Sequence, residues 1–343
     1  MRKKFFLEIL IGCLGFVLIW VILTDIFQPK YLFHSTYSSP ETEMWTDFYK
    51  QPNDSLDALY VGSSHVYNGL NPIIVYQETG VTGFDLATSA QDIATAYFLI
   101  KEALRYQSPQ YIFLDTYGFH FESLLLKENY TKTLDGMRWS SVKYEAIRAW
   151  QQNYPEESIK NRVLTLLDFH SRWDELNQND FDYRRTMQQN KGYSLTFDVM
   201  PIEFAPADDN ADIVIHEVDE VYLQKIQELC DENGIELVLM TTPHADWTST
   251  QAATMLALAQ KLGLDYYNFC DQSFVETCGL DVNTDFRDRN HLNAYGANKF
   301  STAFADIMKS VGVNAGVHED AVTFMWEQDV ARINDLFGVT ISD

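Results

Sequence analysis

The sequence predicts a doubly wound α/β fold with a mainly parallel sheet, carried on one N-terminal transmembrane helix. Three features of the 343 residues lead there. From position 56 onward, short apolar runs alternate with longer segments of helical periodicity. The short runs are apolar at consecutive positions, as strands covered on both faces must be. One long apolar stretch lies near the N-terminus.

Arg2, Lys3 and Lys4 precede that stretch, which covers residues 5–24 and is interrupted only by Glu8. Twenty helical residues span about 30 Å, the thickness of a bilayer's hydrocarbon layer. The basic flank places that end in the cytoplasm, so residues 1–28 read as a cytoplasmic stub and membrane anchor. Two processed forms compete with the uncleaved anchor. One is a cleaved signal peptide, although no small-x-small site follows the stretch. The other is a lipoprotein cut at Leu10-Ile11-Gly12-Cys13, although the apolar stretch continues well past that cysteine. All three leave the rest of the chain extracytoplasmic. Residues 29–55, with Ser38-Ser39-Pro40 and Gln51-Pro52-Asn53-Asp54, read as a stalk. Residues 56–343 read as the α/β domain.

Strand candidates are residues 58–61, 83–87, 111–114, 235–240 and 266–269. Helical candidates are 92–106, 218–232, 249–262 and 294–311, the last with Ala297, Phe300, Phe304 and Met308 at helical spacing. Gly234 and Gly263 stand where helices should end. Such alternation implies right-handed crossovers and helices on both sheet faces. Residues 120–205 break the rhythm, with Tyr144-Glu145-Ala146-Ile147-Arg148-Ala149-Trp150 and His170-Ser171-Arg172-Trp173. They read as a mostly helical insertion near the carboxyl ends of the strands, where open α/β sheets place their sites. A lid, a substrate-recognition element and a structural cover all fit; Arg172 and Trp173 fit a sugar contact or an ion pair beside a buried aromatic. A final helical stretch, 318–336, precedes Val339-Thr340-Ile341.

The formal charge of −24 argues against DNA, RNA and other polyanions, since phosphate contacts need Lys or Arg to displace counterions. Cys13 falls in the anchor. Cys270 and Cys278 could pair outside the cell, leaving Cys230 over, or all three could be free thiols. No metal-ligand spacing and no glycine-rich nucleotide loop occurs, so neither metal nor cofactor is expected.

Two motifs carry chemistry. Val61-Gly62-Ser63-Ser64-His65 follows the first strand candidate, and a glycine there permits the tight turn that exposes a nucleophile. Asp288-Arg289-Asn290-His291-Leu292-Asn293 precedes the helix from 294, and a carboxylate three residues before a histidine can orient its ring. Each alone is weak. Together, at opposite ends of an α/β chain, they form a nucleophile and an oriented base that a doubly wound sheet can bring together.

Over residues 41–312, apart from the insertion, the chain resembles the SGNH/GDSL-type serine hydrolase superfamily. The likeness is greatest to its membrane-anchored bacterial branch of teichoic acid D-alanyl-transfer proteins. Gly62-Ser63-Ser64-His65 and Asp288-Arg289-Asn290-His291 carry the resemblance, supported by Phe84-Asp85-Leu86-Ala87-Thr88-Ser89-Ala90-Gln91-Asp92. It implies a three-layer, flavodoxin-like α/β fold, with Ser64 as nucleophile, His291 as general base and acid, and Asp288 as its orienting carboxylate. Asp285 is the rival carboxylate. The glycine and asparagine that many relatives use for the oxyanion hole are absent; Ser89-Ala90-Gln91 and Leu114-Asp115-Thr116-Tyr117-Gly118 stand there instead. The amides of Ser64 and Ala90, with Gln91 as an added donor, are the expected replacements. His65 and His244 are expected to line the pocket, with Asp115 and Tyr117 shaping it.

The resemblance implies an esterase or O-acyltransferase acting on O-acyl groups, such as acetyl, of a cell-envelope polysaccharide. A transferase would take its acyl group from a multi-span membrane acyltransferase partner. The competing class is a non-catalytic accessory protein for surface-polysaccharide binding or export, which the two missing oxyanion residues would favour.

Overall fold

In the computed structural model, the described residues are 2–28, 40–156, 160, 164–178, 180–181, 190–204 and 211–338. Five strands form one sheet: β1 (Ala58–Gly62), β2 (Gly83–Ala87), β3 (Tyr111–Asp115), β4 (Glu236–Thr241) and β5 (Asp265–Asn268). All are parallel, in the order β2-β1-β3-β4-β5. The chain therefore winds one way from β1 to β2 and the other way from β3 to β5. A short antiparallel pair, β6 (Phe286–Asp288) and β7 (His291–Leu292), lies outside this sheet.

The helices used below are α1 (Arg2–Phe27), α2 (Pro40–Phe48), α3 (Ser64–Gly69), α4 (Pro72–Thr79), α5 (Ile93–Ala103) and α6 (Lys127–Gly136). They continue with α7 (Ser141–Gln151), α8 (Glu217–Asn233), α9 (Ser249–Leu262), α10 (Gln272–Cys278), α11 (Ala294–Ser310) and α12 (Asp320–Leu336).

β1 to β4 are buried on both faces along nearly their whole length, the edge strand β5 only partly, and alternation sorts the side chains between two apolar layers. Leu59, Val61, Ile112, Leu114, Leu237 and Leu239 point one way, against α5, α8 and α9. Ala58, Tyr60, Phe113, Val238 and Met240 point the other, where Phe300, Phe304 and Met308 of α11 meet them. Helix ends follow local rules. Asp92, Thr248 and Asn293 accept backbone N–H bonds at the starts of α5, α9 and α11. Gly234 and Gly263 close α8 and α9 in the left-handed conformation.

The stalk reading needs correction. Residues 40–48 form α2, and Met44, Trp45 and Phe48 are buried in the same apolar layer as Phe84 and Leu86. Trp45 also donates to the Thr133 carbonyl of α6 at 2.9 Å. Gln51, one of the polar residues that suggested a stalk, is buried and donates to Asp47 Oδ1 of α2 at 2.9 Å. Residues 29–39 lie outside the described residues, as does Val339-Thr340-Ile341.

Part of the insertion packs on α5 and α6, with Val142, Ala146, Ile147 and Trp150 of α7 joining the core. Its last segment, 190–204, runs toward β6: Met200 N–H donates to Phe286 O and Ile202 N–H to Val282 O. Lys191 there is fully buried, held by Asp329 of α12 at 3.0 Å and lying over the Trp326 ring. Among the described residues, α1 is the one helix long and apolar enough to cross a membrane. Cys230, Cys270 and Cys278 are free thiols.

Candidate active site

The carboxyl ends of β1, β2, β3 and β4 form the rim on which the site is built. β1 ends at Gly62, and the chain turns at once into α3. A β-carbon at Gly62 would lie 2.6 Å from Asp115 Cβ and 2.7 Å from Val66 Cγ2. Only glycine lets the end of β1 approach β3 and α3 this closely. Ser63 caps α3, its hydroxyl accepting from His65 N–H, and Ser64 is the first helical residue. The hydroxyl of Ser64 is thus presented at the strand's carboxyl end.

The partner loop is fixed from the other side. Asn293 caps α11 and donates through Nδ2 to Thr284 O at 2.7 Å and to Asp198 O at 3.1 Å. Gly296 packs so tightly on this loop that a β-carbon would fall 2.2 Å from Asp285 O. The Arg289 carbonyl accepts from Ala245 N–H at 2.9 Å, tying the loop to the end of β4. Between these anchors, β6 and β7 hold Asp288 and His291 opposite each other.

Ser64, His291 and Asp288 meet in one hydrogen-bonded chain. Ser64 Oγ lies 2.7 Å from His291 Nε2. His291 Nδ1 lies 2.8 and 2.9 Å from the two Asp288 oxygens. An ionised carboxylate only accepts, so Nδ1 carries the proton and Nε2 faces the hydroxyl as acceptor. Burial pushes the Asp288 carboxyl up. The His291 bond and charge, the Asn290 N–H at 2.9 Å and the Arg287 guanidinium outweigh it and hold the carboxyl below its ordinary value. Ser64 is half-buried, with solvent access. Such an arrangement can move a proton from the hydroxyl to the imidazole while another group bonds to oxygen.

Asp285 takes no part in this chain. It is buried, accepts from Asp281 N–H at 2.7 Å and Thr284 Oγ1 at 3.1 Å, and pairs with Lys299 at 2.6 Å. Its role is to close the loop.

The loop after β2 comes next to Ser63, because Thr88 N–H donates to Gly62 O at 3.1 Å. Within it Ala90 adopts φ +46, a left-handed conformation that L-residues rarely take. Gln91 is buried, its side-chain oxygen accepting from Thr88 Oγ1 at 2.9 Å. That bond holds the side chain against its own loop.

His65 and His244 are buried beneath the triad and do not line an open pocket. The His65 ring lies tilted against Tyr117 with centroids 3.7 Å apart, 4.6 Å from His244 and 5.1 Å from His291. His120 and Trp247 extend the cluster. Burial lowers the basicity of His65 strongly, and the neighbouring His244, His291 and His120 lower it further. Burial likewise brings His244 down to about 4. A neutral floor follows, which adds no positive charge beside His291. His120 and Trp247 are not among the residues the sequence points to; the one signal for them is their position three residues past Tyr117 and His244. Asp115 sits deeper, accepting from Thr242 N–H and Oγ1 at 2.9 and 3.0 Å, so it braces β3 against β4.

Arg172 and Trp173 are engaged elsewhere, at the end of α1. Arg172 donates to Phe27 O and pairs with Asp180 at 3.2 Å. Trp173 is exposed, against the expectation of a buried aromatic. Among the described residues no cluster of His, Cys, Asp or Glu could hold a metal.

No protein-family model matches the chain, and no curated protein matches it.

Proposed function

We propose that the protein is an SGNH-type serine esterase or O-acyltransferase, anchored by α1 with its α/β body outside the membrane. It would act on acyl esters of a cell-envelope polysaccharide through an acyl-enzyme on Ser64. One observation carries the catalytic part: a hydroxyl, an imidazole and a carboxylate join in sequence across 227 residues at the rim of a parallel sheet. Loop packing alone does not call for a half-buried serine aimed at the acceptor nitrogen of an oriented histidine.

On this reading, Ser64 Oγ attacks the ester carbonyl carbon and its proton passes to His291 Nε2. The imidazolium so formed faces Asp288, whose negative charge stabilises it. The amides of Ser64, in the first turn of α3, and of Ala90 would cradle the oxyanion. Backbone donors make side-chain identity secondary there, which accommodates the absence of the usual glycine and asparagine. Collapse of the adduct breaks the bond to the leaving alcohol, which takes the proton from His291. Water or an acceptor hydroxyl then gives its proton to His291 and bonds to the acyl carbon; collapse of this second adduct breaks the bond to Ser64 Oγ, which takes the proton back from His291.

The strand order, with its reversal between β1 and β3, supports the fold part of the reading, because open α/β sheets place ligands at such reversals. The polysaccharide assignment rests on the resemblance and on the anchor. A neutral glycan also suits a strongly acidic protein better than a polyanion does.

The test is covalent labelling of the full chain by a fluorophosphonate. We expect labelling of the wild type and none of Ser64→Ala. Labelling that persists in Ser64→Ala, or that the folded wild type never shows, would overturn the nucleophile assignment and leave the accessory-protein class. Acetylated xylan with and without an added oligosaccharide acceptor then separates hydrolysis from transfer.

A further inference from the structure

The end of α1 is built into the insertion. Thr24 to Gln28 are partly buried, unlike most of α1 before them. Arg172 donates to the carbonyl of Phe27, satisfying one of the orphan acceptors at the helix's C-terminus with a cation, the favourable sign there. The same guanidinium bonds Asp180, whose side chain is buried, and Glu175 at 3.3 Å. A second tie runs from Gln28 Nε2 to the Asp135 carbonyl of α6 at 2.6 Å.

These ties fix the depth of the insertion. If α1 spans a bilayer, Phe27 marks the outer boundary of the hydrocarbon layer. Groups bonded to Phe27 and Gln28 then lie at headgroup depth. Three large aromatic side chains stand within four residues of those ties and are exposed. Trp173, next to Arg172, is 71% exposed; Phe181, next to Asp180, is 61%; Trp139, four residues past Asp135, is 52%. Leu164, and Leu167 in the short helix Leu166–Phe169 that leads into Arg172, are also exposed. Elsewhere the chain buries its tryptophans: Trp45, Trp150, Trp247 and Trp326 are all in the core. The two exposed ones, Trp139 and Trp173, each stand within four residues of a tie to the end of α1, while Trp20 within α1 is partly buried.

We propose that Trp139, Trp173 and Phe181 form an aromatic collar that seats the insertion in the headgroup layer of the outer leaflet. Tryptophan concentrates at that layer because its ring is apolar while its N–H still reaches water. The partner is a lipid surface, and a zwitterionic one, since the acidic chain would be repelled by an anionic leaflet. The collar would hold the α/β body in one orientation above the membrane instead of letting it swing on a tether. The triad would then work at a fixed height. The inference rests on the reading of α1 as a spanning anchor.

The experiment is tryptophan quenching in the full chain, reconstituted in phosphatidylcholine nanodiscs whose lipid is brominated near the headgroup end of the acyl chains. The chain has seven tryptophans, and three of them, Trp20, Trp139 and Trp173, are placed to reach lipid. We compare wild type, Trp20→Phe and Trp139→Phe/Trp173→Phe; the last pair is exposed, so folding should persist, and circular dichroism checks it. We expect the double variant to retain only about a third of the quenched emission, as befits loss of two headgroup-depth rings. Quenching that falls in Trp20→Phe but not in the double variant would overturn the collar while keeping the anchor. No quenching in any of the three would mean that α1 itself is not in the bilayer, and the anchor reading would fall with the collar.

Discussion

Replacing Asp288 by asparagine tests the reaction where the geometry is most exacting. In the wild type both carboxylate oxygens lie within 2.9 Å of His291 Nδ1, so the charge centres are nearest neighbours. At a separation of about 4 Å and an effective dielectric of ~20 to ~40, a carboxylate stabilises an imidazolium by about 2–4 kcal/mol. The Asp288 side chain is 39% exposed, which argues for the lower half of that range. A loss of about 2–3 kcal/mol in the transition state slows kcat/KM by ~30- to ~160-fold, short of the ~10,000-fold seen for a fully buried triad aspartate. The assay is hydrolysis of p-nitrophenyl acetate by the purified full chain, with a melting curve alongside. Stability should hardly change, because the lost interaction is half-exposed. Asp285→Asn should do the reverse: stability falls by about 1–3 kcal/mol, since a buried acceptor of two loop bonds is weakened, while the rate stays near that of wild type. A folded Asp288→Asn that keeps the wild-type rate, or an Asp285→Asn that loses more activity than it does, would refute the assignment of the carboxylate.

Other expectations follow from the same structure. Trp45→Ala should cost about 3–5 kcal/mol in urea unfolding, as for a large core truncation; a change near zero would restore the stalk reading. Ser63→Ala should lose about 1 kcal/mol as a helix cap while fluorophosphonate labelling persists; abolished labelling in a folded Ser63→Ala would mean that the wrong serine was chosen. Burial pushes Asp115 up to about 6. Its folded form therefore holds a proton that the unfolded chain has released, so this group's contribution to stability falls as pH rises from about 4 to about 6. Against Asp115→Asn, which cannot ionise, the wild type should lose about 2–3 kcal/mol between pH 4 and pH 7. Parallel unfolding curves for the two proteins over that range would contradict the burial argument.

The elements were largely legible because what makes them is local. The run 83–87 became β2 with those bounds, and 249–262 became α9, since a Thr248–Gln251 cap and Gly263 mark both of its ends. The insertion's helices were legible as a class. The segment 40–48 is not legible as part of the domain, because polar residues outnumber its apolar ones and the burial of Met44, Trp45 and Phe48 depends on a distant partner surface. Asp288 and His291 were readable as a pair through their three-residue spacing; their meeting with Ser64 was an expectation that the sequence could frame but not measure.

What the sequence determined alone is the set of pieces: strands by two-sided apolarity, helices by period and cap, an apolar N-terminal helix, a serine behind a glycine, and a histidine behind an aspartate. Each depends on forces acting between residues a few positions apart. Tertiary structure decided the strand order, the 2.7 Å contact of Ser64 with His291, the floor of His65, Tyr117, His120, His244 and Trp247, and the burial of Lys191 between Asp329 and Trp326. Those depend on which distant surfaces exclude water from each other, and that is set by the packing of the whole chain at once.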